Sequence, residues 1–194
     1  MSRNGVFVAV VGPSGAGKDT LLNGAAKALA DRPDILFVRR IITRAPDGAT
    51  EDHDTMSVEA FQAAKQAGDF CLSWHANGLH YALPRSTLDA QKAGRTVVAN
   101  LSRAILSEIC HDFRPILLIE VSAAQHILAA RLLARGRETA EAIEERIKRA
   151  RNFDVPACVS KHVIIENSGS LDTGVNAMIK ALRAAVSLVS SSSA

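Results

Sequence analysis

A glycine-rich segment between a strand-like run and a helix-like run constrains this sequence most. Residues 12–18 read GPSGAGK, which fits the pattern GxxxxGK. The preceding Val6–Val11 is continuously apolar, as is typical of a parallel strand buried on both faces, and Leu21–Ala30 has the composition of a helix. In this order, backbone N–H groups and the helix N-terminus both face phosphate oxygens. The sequence therefore predicts a P-loop.

The last residues of the predicted loop indicate its ligand. Lys18 would reach the β- and γ-phosphates of ATP. The next residue is usually Ser or Thr, whose hydroxyl binds Mg²⁺, but here it is Asp19. A carboxylate also binds Mg²⁺, so Asp19 is a candidate metal ligand; the alternative is a first-turn acid that only interacts with the helix dipole. The predicted ATP-binding residues of this segment are Gly12, Pro13, Ser14, Gly15, Ala16, Gly17, Lys18, Asp19 and Thr20.

Strand-like and helix-like runs alternate along the rest of the chain. This alternation predicts an α/β fold with a doubly wound, mainly parallel five-stranded sheet, in a single domain over residues 1–194. After Val6–Val11, the predicted strands are Ile35–Ile42, Thr96–Asn100, Ile116–Val121 and His162–Glu166. The predicted helices are Leu21–Ala30, a Ser57-capped segment to Ala67, Pro84–Ala93, Ser102–His111, Ser122–Arg135, Thr139–Phe153 and Leu171–Val189.

Two segments depart from this alternation. Asn77-Gly78, between two apolar runs, predicts a hairpin because both residues tolerate positive φ. The hairpin belongs to a small β-containing substrate insertion at about residues 35–95. Gly136 interrupts a helical stretch, which predicts a mobile helical lid at about residues 131–152. The serine-rich residues 190–194 predict a flexible tail.

Composition argues against several kinds of partner. The net charge is +3 and aromatic residues make up 4%, so the chain lacks the basic patches and stacking platforms of nucleic-acid-binding proteins. No apolar stretch approaches the roughly 18 residues of a membrane span. The chain has three cysteines, an odd number, and their spacing is not that of metal ligands: Cys71, Cys110 and Cys158. We therefore expect reduced thiols and a cytoplasmic location.

With the loop placed, the sequence resembles the guanylate kinase family over nearly its whole length. The resemblance rests on GPSGAGKDTLL at Gly12–Leu22, RIITR at Arg40–Arg44, the segments around Trp74 and Tyr81, and the arginine-containing region Arg131–Arg151. It implies a nucleoside-monophosphate-kinase-like fold with a substrate insertion and a lid. It also implies ATP and Mg²⁺ as cofactors.

The resemblance implies roles for individual residues. Arg44 and Tyr81 would hold the acceptor phosphate, with Arg40 as a further candidate. Asn167, at the end of the last predicted strand, would contact the adenine of ATP. The catalytic set expected to contact ATP or the transition state is Lys18, Arg135, Arg146 and Arg151.

One departure separates this sequence from guanylate kinases. They carry a glutamate just before the tryptophan, and here that position is Ser73, before Trp74. A single hydroxyl cannot replace a carboxylate that accepts two hydrogen bonds from guanine. The sequence is more similar to the ribose 1,5-bisphosphate phosphokinases, which share the GKD loop and the segment SWHANGLHY at Ser73–Tyr81. That family has guanylate kinase architecture and makes phosphoribosyl diphosphate in connection with phosphonate breakdown.

This second resemblance implies ribose 1,5-bisphosphate, a phosphorylated sugar, as the acceptor. Its second phosphate replaces a base, and an anion there favours hydroxyls and histidines over a carboxylate. Ser73, His75 and His80 are therefore expected in the acceptor site. The alternatives are a guanylate kinase and a non-catalytic guanylate kinase-like interaction module. Ser73 argues against the first, and Lys18 with the lid arginines argues against the second.

Overall fold

The computed structural model describes residues 4–44, 53–134, 143 and 153–190. Its strands are β1 (Phe7–Val11), β2 (Ile35–Phe37), β3 (Arg40–Ile42), β4 (His53–Thr55), β5 (Phe70–Ala76), β6 (Leu79–Pro84), β7 (Thr96–Asn100), β8 (Ile116–Ser122) and β9 (Lys161–Glu166). Its α-helices are α1 (Lys18–Ala28), α2 (Val58–Ala67), α3 (Ser86–Lys92), α4 (Ile109–Asp112), α5 (Gln125–Ala134) and α6 (Leu171–Ser190).

The larger sheet has five strands in the order β2-β7-β1-β8-β9, and every neighbouring pair is parallel. The predicted doubly wound, parallel five-stranded sheet is therefore confirmed. Because all strands run the same way, their carboxyl ends meet at one edge, which is where open α/β sheets bind ligands. Val11, Asn100, Ser122 and Glu166 are the last residues of four of these strands.

The central strand β1 is buried on both faces, and its alternate side chains enter two separate cores. Val8 and Val10 pack in a core that includes buried residues of α1 and α6. Phe7 and Ala9 pack in the other core, which includes Trp74 and other residues of β5 and β6. The second core therefore joins the inserted strands to the main sheet.

A second sheet, with the order β4-β3-β6-β5, forms the predicted β-containing insertion. Its hairpin turns at Asn77-Gly78 with φ of 52° and 75°, as predicted. The preceding α2 begins after Ser57, whose hydroxyl accepts a hydrogen bond from the Ala60 N–H at 3.1 Å, and ends at Gly68 in the left-handed conformation. The predicted Ser57 cap is thus present, and Gly68 caps the other end of the helix.

Three predictions of local structure were wrong. The single strand Ile35–Ile42 is divided, because β2 joins the large sheet and β3 joins the small one. The helix Ser102–His111 is a 3₁₀ turn at Arg103–Ile105 followed by the short α4. The sequence predicted no strand between Ile42 and Ser57, but β4 lies there and pairs with β3. Apolar periodicity marks buried segments but does not show which sheet they join.

The expectation of reduced thiols was also wrong for two of the three cysteines. Cys110 and Cys158 form a disulfide with a Cα–Cα distance of 5.8 Å, and Cys71 is free. The two partners are separated by 48 residues in sequence, so only the folded chain brings them together. Burial raises the pKa of the Cys71 thiol to about 11.

Among the described residues, no helix is long and apolar enough to cross a membrane. The predicted lid at 131–152 lies mostly outside the described residues, as does the tail 191–194.

Candidate active site

The backbone of the phosphate loop adopts conformations that favour glycine. Gly12 follows β1 with a φ of 149°, and a Cβ atom there would lie 2.1 Å from the Val121 carbonyl oxygen. Gly17 has a φ of 88°, and its Cβ would lie 2.5 Å from the Asn167 side-chain nitrogen. These glycines allow the loop to turn tightly between β8 and the end of β9. The N-terminus of α1 then points its N–H groups toward the loop.

Lys18 is the first residue of α1, and its side chain folds back across the loop. Its ammonium nitrogen donates hydrogen bonds to the carbonyl oxygens of Gly12, at 2.8 Å, and Pro13, at 3.1 Å. The positive charge of Lys18 therefore lies at the phosphate loop. A bound phosphate would supply stronger, charged acceptors to the same group.

Two side chains brace the loop from outside. Asn167, only 5% exposed, donates to the Ala16 carbonyl oxygen at 2.7 Å. Arg131 of α5 donates to the carbonyl oxygens of Gly15, at 3.3 Å, and Asn167, at 3.0 Å. The amide of Asn167 is thus used to support the loop, and its predicted contact with adenine stays a prediction. The sequence analysis named Arg131 only as the start of the lid region, but its side chain connects α5 to the phosphate loop.

The carboxylate of Asp19 connects three elements at this edge. Its Oδ1 accepts a hydrogen bond from the Asn100 side-chain nitrogen of β7 at 2.6 Å. The same oxygen lies 3.4 Å from a guanidinium nitrogen of Arg40 in β3. The Arg40 and Asp19 side chains are 12% and 24% exposed, so solvent screens this ion pair only partly. Arg40 of the inserted sheet therefore contacts the second residue of α1, directly after the phosphate loop.

One face of the small sheet presents Arg40 with two aromatic rings. Tyr81 pairs directly across the strands with Trp74, and their rings stack 5.4 Å apart at 10°. Directly paired residues of antiparallel strands share a face. The guanidinium of Arg40 lies 5.8 Å from the Tyr81 ring centre, within cation–π range. Tyr81 and Arg40, both predicted acceptor residues, are thus brought together.

The other predicted acceptor residues of the hairpin lie on the opposite face. Ser73 pairs with Ala82, and His75 pairs with His80, one position out of phase with Trp74 and Tyr81. The His80 ring stacks on Phe61 of α2 at 5.4 Å. The fold therefore does not place Ser73, His75 and His80 on the same face as Tyr81. Trp74, which follows Ser73 in the sequence, is the hairpin residue that lies beside Tyr81.

Of the remaining predicted site residues, two are described by the structure and three are not. Arg44 follows β3 by two residues and is partly buried. Thr20 is exposed on the first turn of α1. The catalytic candidates Arg135, Arg146 and Arg151 lie outside the described residues.

A carboxylate at the end of β9 is held by two hydroxyls. Ser122 donates to one oxygen of Glu166 at 2.6 Å, and Ser168 donates to the other. These hydrogen bonds hold the pKa of Glu166 below its usual value. Ser168 also accepts from the Ala124 N–H at 2.8 Å. The cluster thereby fixes the strand end next to Asn167 and the start of α5.

The sequence analysis did not predict that Asn100 belongs to the site, although its side chain contacts Asp19. A polar residue ending the buried strand Thr96–Asn100 was the available signal, because strand carboxyl ends form the ligand crevice of parallel sheets.

A phosphate loop, a lysine at the helix start and an arginine reaching it from an inserted sheet define a P-loop phosphotransferase. A solved guanylate kinase from Anaplasma phagocytophilum shares the fold, with a TM-score of 0.63 over 94% of this chain and 87% of that one, at 17% identity. No protein-family model matches the chain.

Curated relatives identify the branch of this class. A ribose 1,5-bisphosphate phosphokinase from Chelativorans sp. is 44% identical over 188 residues, covering 94% of this chain and 87% of the relative. The enzyme of the same name from Acidiphilium cryptum is 46% identical over 176 residues, covering 90% and 94%. The chain belongs to the ribose 1,5-bisphosphate phosphokinase family.

Proposed function

We propose that this protein transfers the γ-phosphoryl group of ATP to ribose 1,5-bisphosphate, giving ADP and 5-phosphoribosyl 1-diphosphate. The observation that carries this proposal is the 44% identity to a ribose 1,5-bisphosphate phosphokinase across 94% of the chain. The site supports it because a phosphate loop meets an inserted sheet that bears an arginine. The product would link the enzyme to phosphonate catabolism, and we propose a cytoplasmic location.

The reaction forms one phosphorus–oxygen bond and breaks another. An oxygen of the acceptor's 1-phosphate attacks the γ-phosphorus, and the bond to the β–γ bridging oxygen breaks as ADP leaves. The attacking phosphate oxygen already carries negative charge, so no strong general base is needed. Positioning and charge neutralisation are the main contributions of the protein.

The donor side is formed by the phosphate loop. Loop N–H groups and the N-terminus of α1 would surround the ATP phosphates. The Lys18 ammonium would exchange its hydrogen bonds to Gly12 and Pro13 for bonds to β- and γ-phosphate oxygens. This exchange replaces neutral carbonyl acceptors with charged ones and strengthens as charge shifts in the transition state. The arginines of the predicted lid, Arg135, Arg146 and Arg151, would add further positive charge.

The acceptor side is formed by the face of the small sheet that bears Arg40 and Tyr81. The Arg40 guanidinium provides a planar fork that matches two phosphate oxygens, and the Tyr81 hydroxyl is a neutral donor. Arg44 follows on the same segment and is the third proposed acceptor residue. Arg40 lies 3.4 Å from Asp19, so a phosphate held by Arg40 would also lie near the phosphate loop.

The carboxylate of Asp19 fits a Mg²⁺ ion. Arg40 and Asn100 both donate to its Oδ1, and no described residue donates to its Oδ2. An anionic oxygen left without a protein donor beside a phosphate site is the ligand type that Mg²⁺ prefers. Mg²⁺ held there would neutralise charge on the ATP phosphates. Among the described residues no three acidic, histidine or cysteine side chains are grouped so that they could hold a metal ion, so we expect ATP phosphates and water to supply the other ligands.

A guanylate kinase activity is less well supported by the sequence of the inserted sheet. The residue before Trp74 is Ser73, where guanylate kinases carry a glutamate. Guanine presents N–H donors on its Watson–Crick edge, and one hydroxyl cannot replace a carboxylate that accepts two of them. The similarity to the solved guanylate kinase, at 17% identity, concerns the fold.

A comparison of acceptors tests the proposal. ADP release would be measured with the same enzyme and saturating Mg·ATP, with ribose 1,5-bisphosphate, GMP or AMP as the acceptor. We expect kcat/KM for ribose 1,5-bisphosphate to exceed that for GMP by about 10⁴-fold, as at other sites that depend on polar readout. A faster reaction with GMP would overturn the assignment.

A further inference from the structure

Asn100 holds an unusual position at the carboxyl edge of the main sheet. It ends β7 in a fully buried strand and is 6% exposed. Its side-chain nitrogen donates to Asp19 at 2.6 Å, a shorter contact than the 3.4 Å from Arg40 to the same carboxylate. Its side-chain oxygen is buried and has no hydrogen-bond partner among the described residues.

This arrangement is unfavourable as packing alone. A buried amide that leaves its carbonyl oxygen unsatisfied loses the hydration of that oxygen without compensation, whereas an apolar side chain of similar size would avoid that loss. Strand β7 is otherwise occupied by Thr96 and small apolar residues. The benefit that offsets the cost is the hydrogen bond to Asp19, which is strengthened because its acceptor is ionised.

The same Asp19 oxygen also holds Arg40 of the small sheet. Asn100 therefore restricts the carboxylate on one side while Arg40 contacts it on the other, at 3.4 Å. Without Asn100, the Asp19 side chain could rotate about its χ angles, and the guanidinium would lose a fixed partner. Arg40 is further restrained by the Tyr81 ring at 5.8 Å. Asn100, Asp19 and Arg40 thus form a continuous chain from the main sheet to the acceptor face.

We propose that Asn100 is a positioning residue for the acceptor: it orients Asp19, and Asp19 in turn holds Arg40 where it binds the phosphate of ribose 1,5-bisphosphate. The proposal rests on the function proposed above. It gives Asp19 a role that a hydroxyl residue after the loop lysine could not fulfil, because a neutral side chain forms no ion pair with Arg40.

Calorimetric titration with ribose 1,5-bisphosphate, without nucleotide or Mg²⁺, tests this role apart from catalysis. We expect Asn100→Leu to raise the dissociation constant about tenfold, the effect of losing a hydrogen bond to a charged group. In an Asp19→Ser background, the same substitution should change the dissociation constant less than about twofold, because residues that act through one another are not additive. Asn100→Asp keeps the shape, lacks the donor, and should weaken binding at least as much as Asn100→Leu.

Gln91→Leu is the matched control, since Gln91 is also a fully buried amide with an unsatisfied oxygen but bonds to Gly5 and Arg114. It should leave the dissociation constant unchanged. Wild-type affinity in both Asn100 variants, or an equal loss in the Asp19→Ser background, would overturn the positioning role. If the wild-type protein itself neither binds nor phosphorylates ribose 1,5-bisphosphate, the proposed function fails and the inference fails with it.

Discussion

Arg39 and Arg40 are adjacent in sequence, yet their side chains have different surroundings. The Arg40 side chain is 12% exposed and contacts Asp19, whereas the Arg39 side chain is 53% exposed and contacts Asp54. The difference follows from the strand period of two, which turns neighbouring residues to opposite faces. The two arginines form a natural pair for testing which face binds the acceptor.

We expect Arg40→Ala to raise KM for ribose 1,5-bisphosphate about 10- to 100-fold, because it removes a charge-assisted contact to phosphate. The KM for ATP should change much less. Steady-state kinetics with each substrate varied in turn provides the measurement. Arg39→Ala is the control and should stay within about twofold of wild type, as is usual for an exposed ion pair. Equal effects of the two substitutions would contradict the proposal that the acceptor binds on the face that bears Arg40.

The same period divides the predicted acceptor residues of the hairpin between two faces. The sequence predicts Ser73 and Tyr81 in one site, but the register pairs Tyr81 with Trp74 and Ser73 with Ala82. A shift of one residue moves every side chain of a strand to the other face. The Asn77-Gly78 turn was predictable from the sequence, but which of the two faces meets the main sheet depends on long-range packing.

At the scale of elements, the strand–loop–helix unit was the most predictable part of the molecule. The apolar run, the glycine spacing and Lys18 each have a local physical cause, and they place β1, the loop and α1 correctly. The divided segment Ile35–Ile42 was less predictable because both halves are apolar and extended. The bracing of the loop by Asn167 and Arg131 joins residues more than 100 positions apart, which no local pattern reports.

Alanine substitutions at Gly12 and Gly78 distinguish the cost of backbone strain from the cost of steric overlap. Gly12→Ala introduces a Cβ atom 2.1 Å from a carbonyl oxygen at a positive φ, whereas Gly78→Ala has a positive φ with open space around it. We expect Gly78→Ala to lower the free energy of unfolding by about 1 kcal/mol, the cost of the left-handed conformation. Gly12→Ala should cost roughly 3 kcal/mol or more, because the backbone must also shift.

Urea denaturation of the two variants and the wild type measures this difference. Equal destabilisation would show that the contact between the loop and the Val121 carbonyl is not close. The account of how β8 supports the phosphate loop would then be wrong.

At the scale of the whole molecule, a covalent link joins two distant segments. The Cys110–Cys158 disulfide connects α4 to the loop before β9. No spacing pattern predicts this link, because 48 residues separate the two cysteines and neither belongs to a motif. Such a cross-link restricts the unfolded chain and so stabilises the folded one.

Reduction of this disulfide should lower the free energy of unfolding by about 2–4 kcal/mol. Urea denaturation with and without dithiothreitol measures the change, and Cys110→Ser should abolish the effect of the reductant. Thiol titration of the denatured, unreduced protein should detect one thiol, that of Cys71, since it is the one free cysteine in the described structure. Three titratable thiols together with a stability independent of reductant would contradict the link.

The central claim is that the turn entering α1 binds the phosphates of ATP through Lys18. The direct measurement is the rate of ADP release with ribose 1,5-bisphosphate for Lys18→Ala, compared with Lys27→Ala near the end of the same helix, where the side chain is exposed. We predict that Lys18→Ala lowers kcat by about 10²- to 10³-fold, as expected for removing one preorganised charge from a transition state, and that Lys27→Ala has the wild-type rate. A Lys18→Ala enzyme with the wild-type rate would contradict the claim.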